Sequence, residues 1–116
     1  MNSPLGPVKT RVRASRFVTM SPIDLVFSAE AGDDIDSILA YTFDTWGSAQ
    51  EVTYRLVLWN AFRRIQTFPE IGRLVSEDRD DLRERILEHH IILYRYHENT
   101  VTILRILNPR RKRPSQ

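Results

Sequence analysis

The 116-residue chain has no cysteine. That excludes a disulfide framework, a thiolate zinc site and a cysteine nucleophile. It also lacks any apolar run approaching the roughly 18 residues of a membrane span, and its N-terminus has no apolar signal core. These absences fit a cytoplasmic protein with no membrane partner. Acidic residues are missing from both ends. Residues 1–19 hold Lys9, Arg11, Arg13 and Arg16, residues 109–116 hold Arg110, Arg111, Lys112 and Arg113, and neither stretch contains Asp or Glu. The stretch 20–108 carries nine basic against 15 acidic residues, a net −6. The pattern is a mildly acidic body with two basic arms, and such arms contact nucleic acid or acidic partners or stay solvated.

Length and composition set the scale. One core is affordable and two are not, and 41% hydrophobic with 28% charged residues is ordinary for a globular protein. The organisation read from the chain is a basic extension over 1–19, a single domain over 20–108 and a basic tail over 109–116. The extension contains Pro4, Gly6 and Pro7 and has no clear periodicity. It is either an upstream extension from a misplaced start or an extra arm.

Residues 23–27 read as a short strand with Ile23, Leu25 and Phe27 on one face. Ser28 is a suitable N-cap for a helix reaching about Trp46. Ala31, Ile35, Ile38, Leu39, Thr42 and Trp46 follow helical spacing, and Asp33, Asp34 and Asp36 suit its positive end. Gly47 stops this helix, and Ser48-Ala49-Gln50-Glu51 reads as a capping box opening a second one, to about Thr67. The apolar surface of the second helix is wide: Val52, Leu56 and Trp59 on one stripe, Tyr54, Leu58, Ala61, Phe62 and Ile65 on others. Either the first helix and the N-terminal strand cover the excess, or it forms a groove for an amphipathic partner. Phe68 to Arg73 is a loop, with Gly72 free to take a left-handed turn, and Ser76 to Asp81 is a polar connector.

Leu82 to Leu107 reads as a three-stranded antiparallel meander with tips at Glu88-His89 and His97–Thr100. Pairing places Tyr96 opposite Val101, Tyr94 opposite Ile103 and Ile92 opposite Arg105, with Arg85 opposite Ile92 and Arg83 opposite Tyr94. Alternation then yields two faces. Ile86, Ile91, Leu93, Leu104 and Ile106 form the expected core face. Arg83, Arg85, His90, Tyr94, Tyr96 and Arg105, among Ile92, Val101, Ile103 and Leu107, form the face expected to be open.

The ordered set Ser28-Ala29-Glu30-Ala31, Asp34, Ile35, Ile38, Tyr41, Trp46-Gly47, Phe68-Pro69-Glu70-Ile71-Gly72-Arg73, Leu82-Arg83, Ile92-Leu93-Tyr94-Arg95, Val101 to Leu107 and Arg110 resembles the RelE/ParE toxin superfamily. Within it the match is to the ParE, or plasmid-stabilisation, branch of type II toxin–antitoxin systems, over about residues 22–113. The resemblance implies an α+β fold, with an N-terminal strand and a two-helix antiparallel hairpin packed on a twisted, mainly antiparallel sheet. It implies a toxin that inhibits DNA gyrase by binding, without enzymatic chemistry or cofactor, and a cognate antitoxin, ParD-like or other, that neutralises it. One departure is Asn108, where ParE-like chains commonly carry His after the last strand.

On this reading the target-binding groups are Arg83, Arg85, Tyr94, Arg105 and the tail Arg110, Arg111, Lys112 and Arg113, the tail also being the route to nucleic acid. The antitoxin would cover Val52, Leu56, Trp59 and Phe62. No metal site is expected. The alternative implied by the superfamily is a RelE-like ribosome-dependent endoribonuclease, with metal-free general acid–base chemistry. His90 or Tyr94 would then be acid or base, and Arg83, Arg85 and Arg105 the cationic clamp. A third alternative is a degenerate, non-toxic relative that still binds its antitoxin.

Overall fold

A computed structural model describes residues 22–109. The first strand, β1 (Asp24–Phe27), leads through Ser28 into α1 (Ala29–Trp46). The Ser28 hydroxyl accepts from the Ala31 amide at 3.0 Å, as an N-cap should, and donates to the Leu104 carbonyl at 2.8 Å. One serine thus starts the helix and fastens it to the far end of the chain. Gly47, at φ 95°, is the only residue between α1 and α2 (Ser48–Thr67). That conformation suits glycine because it has no Cβ to clash. The expected capping box is not formed: Gly47 is the N-cap, no side chain caps the helix, and Ser48 already lies inside it. With a single linking residue there is no room for a serine outside the first turn, and Glu51 instead pairs with Arg55 one turn on.

The polar connector is in fact a hairpin, β2 (Arg73–Ser76) with β3 (Arg79–Ile86), followed by β4 (Ile91–His97) and β5 (Thr100–Leu107). Sheet order is β1-β5-β4-β3-β2, with β1 parallel to β5 and every other pair antiparallel. Glu98 and Asn99, both at positive φ, make the tight β4–β5 turn, as a two-residue primed turn requires.

The predicted pairs Tyr96–Val101, Tyr94–Ile103, Arg85–Ile92 and Arg83–Tyr94 are all present. The choice of covered face is reversed. Ile92, Tyr94, Val101 and Ile103 are fully buried and pack with Leu58, Phe62 and Ile65 of α2 and Ala31 and Leu39 of α1. Ile86, expected in the core, is more than half exposed. Both faces carry enough aliphatic residues for alternation alone to leave the choice open. What decides it is the packing of Leu58, Phe62 and Ile65 of α2 on this face. The one polar group at its centre, the Tyr94 hydroxyl, is satisfied by the Pro69 carbonyl and the Gly72 amide.

A β-bulge explains the remaining difference. The register shifts by one between Leu93 and Tyr94, so that Ile92 faces Ile106 and Leu93 faces Arg105. Ile106 therefore joins the buried set, and Arg105 leaves it. The Arg105 guanidinium instead forms a two-point ion pair with Asp34 of α1, at 2.7 and 3.1 Å. The same carboxylate accepts the Ile106 amide at 2.9 Å, at the edge of β5 beyond the end of β1. An acidic residue placed near the helix start thus ties α1 to the sheet. Burial pushes the Asp34 carboxyl up, but hydrogen bonds from Arg105 and from the Ile106 amide outweigh it and hold it below the ordinary carboxylate value.

Candidate functional site

Two surfaces stand out, and both are built by α2. Its outer stripe carries Val52, Leu56 and Trp59 at helical spacing, 52%, 57% and 43% exposed. Trp59 anchors the stripe to the body through edge contacts with Phe27 and Phe62, at ring separations of 5.7 and 5.5 Å. Phe62 is not part of this surface. It is fully buried, with the Phe27 ring 5.0 Å away, and belongs to the core because it lies on the same side of the helix as Leu58 and Ile65. Tyr41, Phe43 and Trp46 of α1 are also exposed, so the hairpin leaves large apolar groups outside the core on both helices.

The second surface is the C-terminal end of α2 and the loop after it. Phe68 caps the helix, its amide donating to the Arg64 carbonyl at 2.8 Å, while the Arg64 guanidinium sits over its ring at 5.9 Å. The loop is clamped from beneath. The Tyr94 hydroxyl donates to the Pro69 carbonyl at 2.6 Å and accepts the Gly72 amide at 2.9 Å. Arg83 donates to the Gly72 carbonyl at 2.6 Å and to the Glu70 carbonyl at 3.3 Å. Gly72 is needed for space and not for a left-handed turn: a Cβ there would lie 2.7 Å from both the Tyr94 hydroxyl and the Glu84 carbonyl.

The groups proposed for acid–base work do not converge on an open site. Tyr94 has no exposed surface, and burial raises its phenol pKa. His90 shares a 2.7 Å hydrogen bond between its Nδ1 and the Tyr54 hydroxyl of α2. Burial, with a smaller contribution from neighbouring His89, lowers the His90 pKa. Burial and the nearby Glu88 charge push Tyr54 up to about 12. His90 and Tyr94 are separated by four residues of chain, roughly 13 Å at the rise of a strand. Arg83 is held by loop carbonyls and Arg105 by Asp34. Arg85 stands on the Ile92 side of β3 with no carboxylate partner among the described residues. Arg110, Arg111, Lys112 and Arg113 lie outside the described residues.

Sequence reasoning missed the polar stripe Asn60, Arg63, Arg64 and Thr67, which lines a hollow beside Phe68. Its signal was present as the spacing i, i+3, i+4, i+7, but attention to apolar residues passed over it. No helix among the described residues is long and apolar enough to cross a membrane.

Known proteins resemble this chain in sequence and in fold. Residues 25–113 match the family model described as the ParE toxin of the type II toxin–antitoxin system parDE. Toxin ParE1 of Mycobacterium tuberculosis, strain CDC 1551 / Oshkosh, is 31% identical over 86 residues, covering 73% of this chain and 88% of that protein. Toxin ParE1 of strain ATCC 25618 / H37Rv matches with the same identity and coverage. A chain from the chromosomal ParDE TA system of P. aeruginosa shares the fold, with a TM-score of 0.64 at 18% identity, over 74% of this chain and 95% of that one. The match spans β1, the helical hairpin and the whole sheet, and the chain belongs to the ParE toxin family of type II toxin–antitoxin systems.

Proposed function

We propose that this ParE-type toxin acts by binding DNA gyrase and is neutralised by an antitoxin that folds onto the outer stripe of α2. The observation that carries the antitoxin half is the row Val52, Leu56 and Trp59, left exposed on a helix whose other side is fully packed. An amphipathic segment with apolar residues at matching spacing would cover it, and its own ordering would accompany binding.

For the target, Tyr94 is buried, and Arg83 and Arg105 are held internally. Tyr94 acts on the target only by shaping the surface, while Arg83 and the exposed Arg105 have their guanidiniums engaged within the chain. The contacting cations are then Arg85 and the tail Arg110 to Arg113. Binding accounts for the geometry better than metal-free RNA cleavage, because Tyr94 is buried, His90 is bonded to Tyr54, and Arg83 and Arg105 are engaged within the chain.

The experiment is purified toxin with supercoiled plasmid, gyrase and ATP, run beside a ribosome-programmed mRNA. Trapped linear or nicked DNA, lost on deleting residues 110–116 and suppressed by a co-purified ParD-type antitoxin, is the expected result. Cut mRNA with intact DNA would overturn the gyrase reading, and inactivity in both assays would favour a non-toxic antitoxin-binding relative.

A further inference from the structure

The end of α2 carries a recognition surface of a different kind from its apolar stripe. Asn60, Arg63, Arg64 and Thr67 line one hollow with Phe68, and no carboxylate lines it. Arg55, Arg73, Arg79 and Arg105 each meet an acidic side chain, and Arg83 meets two carbonyls. Arg63 and Arg64 have no carboxylate partner among the described residues, in a body whose net charge is negative. Proximity to the helix C-terminus favours cations there. It does not account for Phe68, a residue 55% exposed beside them. Nor does it account for the Tyr94 hydroxyl and the half-buried Arg83 side chain that fix the loop after Phe68 from below. A loop held by four side chain-to-backbone hydrogen bonds presents its neighbouring groups with little ordering left to be lost on binding.

We propose that this surface binds single-stranded nucleic acid, with phosphates on Arg63 and Arg64 and an unstacked base on Phe68. The pairing of adjacent guanidiniums with an exposed aromatic ring is what such strands need: cations for the backbone and a flat apolar platform for a base. Asn60 adds an amide able both to donate to and to accept from a base edge. An acidic peptide would be satisfied by the arginines alone and would leave Phe68 uncovered. Glu70 lies in the adjacent hollow with Ile71 and Tyr96 and confines the phosphates to the arginine side. The base takes the Phe68 ring face that the Arg64 guanidinium leaves open. The inference does not rest on gyrase, and its test contains none.

The test is fluorescence anisotropy of a labelled single-stranded oligonucleotide titrated with the full chain across a salt series. A poly-glutamate peptide is titrated in parallel. R63A/R64A should weaken oligonucleotide binding at least ten-fold and flatten the salt dependence by about 1.4, since each phosphate contact on a single strand contributes roughly 0.7. Phe68→Leu should weaken it at least five-fold with the salt slope unchanged, because a stacking platform carries no charge. R55A/R95A removes the same charge elsewhere and should have a smaller effect than R63A/R64A. All three side-chain sets are exposed, and unchanged thermal melts would show that the fold is retained. Equal losses in the two double variants, no loss with Phe68→Leu, or an effect of R63A/R64A confined to the peptide would each overturn the proposal.

Discussion

At the residue scale, Tyr94 shows how a polar side chain becomes a structural centre. Its hydroxyl lies in the core yet both donates and accepts, so its burial costs little. Tyr94→Phe removes the donor to Pro69 and strands the Gly72 amide, and should destabilise the protein by about 1–3 kcal/mol in urea unfolding. Amide exchange should accelerate at residues 70–72 in particular. Gly72→Ala tests the same contact from the opposite side. Forcing a methyl group against the Tyr94 hydroxyl and the Glu84 carbonyl should cost about 1–3 kcal/mol without altering helix content.

His90 supplies a pH dependence at this scale. Its folded pKa is lowered by burial from 6.5, so the unfolded chain binds more protons as pH falls below that value. Its contribution to stability is therefore fully present above about pH 6.5 and is lost as pH falls through the lower folded value. The urea midpoint should drop between pH 7.5 and 5, and His90→Gln should flatten that decline. Asp34 shifts in the same sense but from 3.8, so its contribution is lost only at more acid pH and leaves this window to His90.

At the scale of elements, α2 divides its apolar residues between two tasks. Phe62 touches Phe27 and Trp59 from inside the core, while Leu56 faces outward. Phe62→Ala should therefore cost about 3–5 kcal/mol and reduce soluble yield. Leu56→Glu should leave the urea midpoint within about 0.5 kcal/mol but abolish co-purification with a ParD-type antitoxin. If Leu56→Glu unfolded the protein, the outer stripe would be core after all. The same division explains why the width of the apolar surface did not separate core from interface: the two stripes differ only in which way the helix is rolled against the sheet.

At the scale of the whole molecule, the N-terminal strand and the C-terminal strand close the fold on each other. β1 pairs in parallel with β5, the Ser28 amide donates to the Ile103 carbonyl at 2.9 Å, and the Ser28 hydroxyl reaches Leu104. Such long-range pairing forms only when most of the chain is in place. A chain beginning at Ser28 would lose one edge of the sheet and the Phe27 ring between Trp59 and Phe62. It should lack a cooperative thermal transition by circular dichroism, whereas a loop mutant such as Phe68→Leu should keep one.

The sequence by itself determined the order of strand, helical hairpin and meander, the Ser28 cap and the helix break at Gly47. It also determined most of the strand pairs, because periodicity, capping chemistry and turn residues are local and readable. It passed over β2 and the start of β3, where Arg79-Asp80-Asp81 is too charged to look like a strand and is held by pairing with its neighbours. Only the tertiary structure decided which face of the sheet is covered. Alternation separates two sets of side chains but carries no sign, and the sign came from α2 packing Leu58, Phe62 and Ile65 against Ile92, Tyr94 and Ile103. The bulge that moved Arg105 to Asp34, the clamp of Tyr94 and Arg83 on the loop, and the burial of Phe62 depend likewise on contacts between residues distant in the chain. For that reason Tyr94, Arg83 and Arg105, placed by the sequence on a face expected to be open, are residues that hold the fold together.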